Sequence, residues 1–336
     1  MENRKLNVAC IGLQFGMSHI EGARAFGAQI AAICDCNEEH LRAAGERYGI
    51  PPEKRFADYR ELTDRRDIDI VTVAVPDQMH REISCAMLRA GKHVLCEKPL
   101  ALTREDVRAI IRAADESGSK FMVGQICRFT PAFEKAKEIV ESGTIGELYF
   151  VESEYAHDYM YLCDTWRADP NRHGVLGGGC HAVDLLRWIA GDPTQVFAYG
   201  THKLLPQVPY DDATVAVMQF PNGVMGKVFV STGCKRDYTM RTVLYGTKGT
   251  IICDNTSPTM MLFTAGADGM AHTPQIIPVT VNNHNAAKEF AVFAQAILAG
   301  NPVPTDAREG AKTVSVCLAI IESSATGKAV QPDYSF

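Results

Sequence analysis

The sequence predicts an α/β chain whose first part is a doubly wound parallel sheet, and three observations support this. Short, nearly continuous apolar runs alternate with amphipathic stretches over the first 126 residues. Several of those runs stop on residues better suited to a ligand than to a core: a glycine, an aspartate, a proline and a lysine. The full length of 336 residues leaves room for a second domain, a usual domain having ~100–200 residues. The boundary falls after residue 126, giving domains of 1–126 and 127–336.

Five runs read as strands in order: LNVACIG (6–12), QIAAICD (29–35), IDIVTVAV (68–75), HVLCEKP (93–99) and KFMVGQI (120–126). Near-continuous apolar character suits strands covered on both faces, as parallel strands are. NEEHLRAAGERYG (37–49) reads as a helix, opening on the N-cap residue Asn37 and stopping at Gly49. TREDVRAIIRAADESG (103–118) pairs Thr103 with Asp106, close to a capping box, and stops at Gly118. Strand and helix alternating at this spacing make βαβ units. Ligands of such sheets lie beyond the carboxyl ends of the strands, where Gly12, Asp35, Pro76 and Lys98 fall. Later, ATVAVMQFPNGVMGKVFVSTG (213–233) reads as two strands joined at Pro221-Asn222-Gly223, a hairpin signal. Strand-like pieces continue to about residue 281, and the final stretches carry helical periodicity.

The first strand ends in IGLQFGMSH (11–19). A dinucleotide fingerprint is G-x-G-x-x-G, with small residues where backbone approaches a pyrophosphate. Gly12 and Gly16 fit, Gln14 occupies the place of the second glycine, and Phe15 lies in the same turn. Asp35 ends the second strand roughly 20 residues on, where an acidic side chain accepts hydrogen bonds from ribose hydroxyls. A carboxylate there repels a 2′-phosphate, and no arginine follows it in CDCNEEH (34–40). NAD is therefore expected in preference to NADP. The alternative for Asp35 is a loop or helix-capping aspartate. Pro76, in VAVPDQMH (73–80), turns the chain over the expected nucleotide. His80 opens the next helix, either lining the cofactor site or serving as a structural histidine.

Composition narrows the function. Net charge is −6, and no run of basic residues stands out, which argues against nucleic acid or an anionic membrane as partner. No apolar segment approaches the ~18 residues of a membrane span, and the opening MENRKLNVACIGL lacks a signal-peptide pattern. A cytoplasmic location is expected. The eleven cysteines are scattered singly without a CxxC, so reduced thiols are expected rather than disulfides. A metal set drawn from His157, Cys163, Cys180 and His181 matches no compact ligand motif, and no metal is expected.

One stretch carries more chemistry than the rest. VLCEKPLALT (94–103) sets Glu97, Lys98 and Pro99 at the end of an apolar strand, although charged groups are rarely placed there without partners. With Gly12, Asp35 and Pro76, this EKP resembles the Gfo/Idh/MocA oxidoreductases, which include glucose-fructose oxidoreductase and inositol dehydrogenase. The resemblance extends through GQICRFTPAFEKAKEIVESGTIGELYFVESEY (124–155), TWRADP (165–170), HAVDLLRWIAGDP (181–193), LYGTKGTI (244–251) and the stretch 289–330. It implies a Rossmann domain followed by an α/β domain with a large, mostly antiparallel open sheet. The sheet's outer face would form the interface of a homo-oligomer, a dimer or a tetramer. It further implies an NAD(P)-dependent enzyme acting on a secondary alcohol of a sugar, inositol or related polyol. Lys98 would lie beside the nicotinamide and the reacting carbinol, often before a cis proline. Hydride leaves a carbon only as its hydroxyl proton is lost, so a base belongs at that oxygen. Burial would lower the lysine's proton affinity. Glu97, on the opposite face of the strand, is grouped with the cofactor residues.

On the substrate side the family motif is a glycine-rich turn, an acidic residue, glycine, histidine and a later aspartate. GVLGGGCHAVD (174–184) supplies His181 and Asp184 but has Gly177 at the acidic position. His181 becomes the second acid–base candidate. Asp184, one helical turn on, either holds the imidazole or serves as a first-turn carboxylate. YAHDYMYLCDTWR (155–167), rich in tyrosine, histidine and aspartate, suits a polyol pocket through stacking and directional polar groups. Tyr155, Asp164, Trp166 and Arg167 are taken from it, and Gln125 joins them as a substrate candidate. Arg128 is expected to tie the domains together. The missing carboxylate at 177 opens an alternative: bound NAD used for a transient oxidation that drives elimination or glycoside cleavage. A non-catalytic nucleotide-sensing regulator is the third reading.

Overall fold

A computed structural model describes residues 5–271 and 273–336. It separates the chain into two units. In the first, β1 (Asn7–Ile11), β2 (Gln29–Cys34), β3 (Arg55–Phe56), β4 (Ile70–Val73), β5 (His93–Glu97) and β6 (Phe121–Gly124) alternate with α1 (Met17–Phe26), α2 (Glu38–Tyr48), α3 (His80–Arg89) and α4 (Arg104–Ser117). The strands form one parallel sheet in the order β3-β2-β1-β4-β5-β6. Val8, Ile33, Ile70, Val71, Val94, Leu95 and Val123 are fully buried, as runs covered on both faces require. The order reverses between β1 and β4, and such a switch point opens a crevice at the carboxyl ends. β3, two residues long at the sheet edge, carries no apolar run and was not anticipated.

The helix signals operate as expected. The Asn37 side chain accepts the Glu39 and His40 amides, and Gly49 adopts the left-handed conformation (φ 62°) that ends α2. Thr103 Oγ1 accepts the Asp106 amide at 3.1 Å and donates to Asp106 Oδ2 at 2.8 Å. Thr103 thus caps the helix through its hydroxyl, while the Asp106 carboxylate bonds that hydroxyl and not the Thr103 amide of a true capping box.

The second unit contains α5 (Pro131–Glu141), β7 (Leu148–Ala156), α6 (Cys180–Ala190) and β8 (Gln195–Thr201). It continues with β9 (Ala213–Gln219), β10 (Met225–Ser231), β11 (Arg241–Gly246), β12 (Gly249–Asp254), β13 (Thr259–Thr264) and β14 (Gln275–Pro278). Its eight strands follow the order β14-β13-β12-β11-β7-β10-β9-β8. Only β7 and β10 run parallel; the other pairs are antiparallel. The hairpin read from Pro221-Asn222-Gly223 joins β9 to β10, with Gln219 opposite Met225 and Gly223 at φ 75°. Thr214, Ala216 and Met218 point inward while Val215 and Val217 point out, the period of two that leaves one face of a sheet uncovered. α5 and α6 pack on the inner face. No helix among the described residues is long and apolar enough to cross a membrane.

Two long helices close the chain, α7 (Ala286–Ala299) and α8 (Ala307–Thr326). Residues Asn285–Ala311 group with the first unit, and Ile126–His284 with Lys312–Ser335 form the second. The sequence reading kept all of 127–336 together because it followed chain order. Packing explains the return of α7. Phe290, Phe293 and Ala294, none of them exposed, share one core with Val8, Ile20 and Ile33, and Phe290 meets Phe26 edge-on at 6.1 Å.

Candidate active site

In the first unit, β1 runs into Gly12, which takes φ 85°. A Cβ there would lie 2.3 Å from the Ala74 carbonyl oxygen, and one on Gly16 would lie 1.9 Å from the Gly12 oxygen. Backbone fills both spaces, so no side chain fits. Gln14 keeps an ordinary negative φ, so the turn needs no glycine at the second fingerprint position. Gln14 and Phe15 are exposed and Gly16 opens α1, whose N-terminus suits an anion. Asp35 Oδ2 accepts the Leu13 amide at 2.8 Å and Oδ1 accepts the Asn37 amide at 2.9 Å. The carboxylate therefore ties the end of β2 to the Gly12 turn, and it retains lone pairs for further donors. His40 Nδ1 lies 3.3 Å from Oδ2. A glycine cradle closed by backbone, a helix N-terminus and an adjoining carboxylate fit a dinucleotide. These residues would hold the pyrophosphate and the ribose.

Pro76 follows β4 and precedes α3. His80 is fully buried, with Nδ1 2.8 Å from the Pro99 oxygen and Nε2 3.2 Å from the Val75 oxygen. Burial disfavours its charged form, but Cys96, Asp77 and the Pro99 carbonyl outweigh that and raise its pKa to about 10. An imidazole satisfies two carbonyls only when both nitrogens carry protons. His80 thus pins the loops after β4 and β5 from within.

Lys98 directly follows β5, half-buried, and the Lys98–Pro99 peptide is cis. Glu97 Oε1 lies 2.9 Å from Nε2 of the buried His19 on α1. A second carboxyl arrives from α7: Glu289 is completely buried, and both of its oxygens lack hydrogen-bond partners. Burial, then the charge on Glu97, raise its pKa well above the carboxylate range, which favours the neutral form of Glu289. Gln125, at the end of this unit, is buried with its Oε1 unsatisfied. Sequence reasoning missed His19 and Glu289; both lie inside helices that read as ordinary amphipathic segments.

In the second unit, His181 sits in the first turn of α6, 3% exposed. The turn before it, Val175–Gly179, is wound as a π-helix, a form frequent at functional sites. His173 leads into it at φ 42°. The space beside Gly177 is occupied: a Cβ there would lie 2.2 Å from Cζ of Arg172. This buried guanidinium donates to the Gly177 oxygen at 3.2 Å and sits over the rings of Trp166 and Tyr159. A cation therefore occupies space next to position 177.

Asp184 accepts from Arg128 Nε at 2.6 Å and Nη2 at 2.7 Å, and from Thr313 Oγ1 at 2.8 Å. Arg128 and Asp184 are both buried within this unit. The hydrogen bonds described for Asp184 thus go to Arg128 and Thr313. A bidentate guanidinium–carboxylate match holds Arg128 to α6.

Tyr155 stacks on His181 at 6.1 Å and 24°. Its hydroxyl lies 2.6 Å from that of Tyr159 and 3.2 Å from His157 Nδ1. Burial, then the neighbouring Tyr159, hold the Tyr155 phenol well above its usual pKa. Beside this cluster lies an open cleft of about 430 Å³ lined by His157, Asp158, Met160, Tyr161, Arg236, Asp237 and Tyr238. Asp164 is exposed. Arg167 is buried with its guanidinium 4.3 Å from the centre of the half-buried Trp166 ring. The spacing of His157, Cys163, Cys180 and His181 matches no compact metal-ligand motif. Among the described residues, the potential ligands that do converge are Cys127, His181 and His284, a set that chain order conceals.

Comparison with known proteins agrees with this geometry. Residues 6–125 match the family model described as the oxidoreductase family with an NAD-binding Rossmann fold, and residues 133–252 match the GFO/IDH/MocA C-terminal domain. Myo-inositol 2-dehydrogenase of Thermotoga maritima is 31% identical over 266 residues, 77% of this chain and 78% of that protein. Levoglucosan dehydrogenase of Pseudarthrobacter phenanthrenivorans is 29% identical over 257 residues, 66% of this chain and 63% of its own length. A solved levoglucosan dehydrogenase in complex with NADH and L-sorbose superimposes with a TM-score of 0.89 at 25% identity, covering 98% of this chain and 99% of that one. The chain belongs to the GFO/IDH/MocA family of oxidoreductases, and its first unit is that family's NAD-binding Rossmann domain.

Proposed function

We propose that the protein is an NAD-dependent dehydrogenase interconverting a secondary alcohol and ketone of a sugar, inositol or related polyol, with Lys98 and His181 as acid–base groups. The observation that carries this is an amine at the carboxyl end of β5, on the same sheet edge as the Gly12 turn and Asp35. The nicotinamide, when bound, supplies the hydride acceptor or donor. Lys98 Nζ takes the hydroxyl proton in oxidation and returns it in reduction. His181, held by the Tyr155 ring, is the second unit's acid–base group or hydroxyl anchor. Asp35 favours NAD over NADP by repelling a 2′-phosphate. The relatives named for myo-inositol and levoglucosan support a cyclic polyol, and the Tyr155–Tyr159–Tyr238 cluster supports stacking against its apolar face.

A panel of sugars and inositols, followed by NADH absorbance with NAD and with NADP, tests the reading. NADH formation on at least one polyol, faster with NAD, is expected; no turnover in either direction refutes it. Lys98→Met is expected to bind NAD normally and lose turnover by about a hundredfold or more. Undiminished turnover in that variant would remove the mechanism.

One observation favours a second reading. Arg172 fills the space beside Gly177, the position at which the resemblance implies an acidic residue, so the second unit departs from the acid–base set that the resemblance implies. Transient oxidation followed by elimination or glycoside cleavage predicts tightly retained NAD and product without net NADH.

The outer face of the large sheet exposes Tyr199, Val215, Val217, Met225 and Phe229. Contiguous exposed apolar residues mark association surfaces, and this face is the proposed homo-oligomer interface.

A further inference from the structure

Three segments distant in sequence converge in the second unit. Cys127 lies in the short helical turn before α5, His181 opens α6, and His284 precedes α7. One ligand atom from each lies within 4.8 Å of the others. Cys127 Sγ and His181 Nδ1 are 3.3 Å apart. Cys127 and His181 are buried, and His284 is exposed.

We propose that Cys127, His181 and His284 form a binding site for a divalent transition metal of the zinc class. Zinc–sulfur and zinc–nitrogen bonds of about 2.3 and 2.0 Å at a tetrahedral angle place S and N about 3.5 Å apart. The Cys127–His181 pair already has nearly that spacing. Closing the widest separation requires about 1 Å of movement, which falls most readily to the exposed His284. One thiolate and two imidazoles suit zinc or copper and not magnesium or calcium. Three protein ligands leave a fourth position for water, as in zinc sites with an open coordination place.

The surroundings support the rings and the sulfur. Tyr155 stacks on His181, and Tyr238 sits 5.8 Å from His284. Met240 Sδ is 3.5 Å from Cys127 Sγ and adds a second soft donor at the edge. Binding displaces the thiol proton to solvent, so affinity rises with pH. Ligation through His181 Nδ1 leaves the imidazole with an Nε2–H, able to donate but not to accept a proton. The loaded enzyme then loses His181 as a base. This last consequence rests on the proposed role of His181, whereas the site itself does not.

The test uses the full chain, stripped with a chelator and titrated with zinc against a chromophoric competitor, with metal content measured by mass spectrometry. Cobalt in place of zinc reports thiolate ligation through its charge-transfer band. One equivalent per chain is expected, weakened at least ~100-fold in Cys127→Ser and His284→Ala and unchanged in Cys36→Ser, whose thiol is exposed. His284, being exposed, can be replaced without disturbing the core, so this variant decides if Cys127→Ser fails to fold. No stoichiometric binding, or binding indifferent to His284→Ala in a folded protein, overturns the site. A metal that binds as described but leaves turnover unchanged overturns the role of His181 and spares the site.

Discussion

Asp184→Asn separates two roles for the aspartate that follows His181. In the structure Asp184, 1% exposed, receives both prongs of Arg128 and the Thr313 hydroxyl. Asparagine keeps one acceptor but turns an amide donor toward the guanidinium, leaving a cation that is 6% exposed without its counter-charge. Breaking a buried pair in this way costs about 3–5 kcal/mol. Arg187, 3.7 Å from Asp184, keeps Asp192 as its close partner at 2.5 Å, so only one arginine is stranded and the lower end applies, about 3 kcal/mol. At about 2–4 °C per kcal/mol for a domain of this size, the second unit should melt about 6–12 °C lower. Calorimetry of both proteins measures the shift, and kinetics well below either melting point measure the site. Turnover within a few-fold of the parent is expected there. Arg128→Met with Asp184→Leu should recover much of the lost stability, since a packed apolar pair can replace a buried ion pair. An unchanged melting point, or collapsed turnover in a fully folded variant, would show that Asp184 serves His181 directly.

Three further expectations follow from burial and charge. His173 accepts the Val175 amide at Nδ1 (3.2 Å), and burial, opposed by Asp211, lowers its pKa to about 4. Below pH ~6.5 the unfolded chain takes up a proton that the folded one refuses, so stability falls by about 3 kcal/mol between pH ~6.5 and ~4. His173→Asn, which tolerates the left-handed backbone, should flatten that limb in urea melts; an unaltered limb would show that His173 is not its source. Cys10 and Cys253 are pushed up to about 12 by burial, so alkylation of the native protein should label exposed Cys36 first, and equal labelling of Cys10 would contradict the fold. Val217→Glu on the outer sheet face should lower the mass seen by light scattering, and an unchanged mass would exclude that face as the interface.

The first unit was legible because its signals are local. A parallel strand buried on both faces leaves an apolar run, caps such as Asn37 and Thr103 mark helix starts, and Gly12 and Asp35 fall at strand ends that topology makes adjacent. His19, Glu289 and Arg172 were not legible. His19 and Glu289 are buried through contacts with chain far away, His19 with Glu97 and Glu289 near Glu97 and Gly124, while Arg172 folds back on its near neighbours Gly177 and Trp166. The Cys127–His181–His284 convergence shows the same limit, since ligands contributed by separate segments have no spacing to recognise. The grouping of α7 with the first unit was hidden for a related reason. Its apolar stripe was plain, but nothing in a stripe says which core it fills.

Position 177 shows how one substitution reorganises a site. With glycine there, the backbone leaves room for the Arg172 guanidinium, which lies so close that any Cβ would overlap it. An acidic side chain at 177 and Arg172 in its present pose are therefore mutually exclusive, and the glycine and the arginine form one feature. The Arg172 guanidinium places a positive charge beside the turn into α6. In the proposed chemistry Lys98 carries the proton transfer with no carboxyl group at position 177 to assist. The lysine variant is therefore the sharper test of the proposed chemistry.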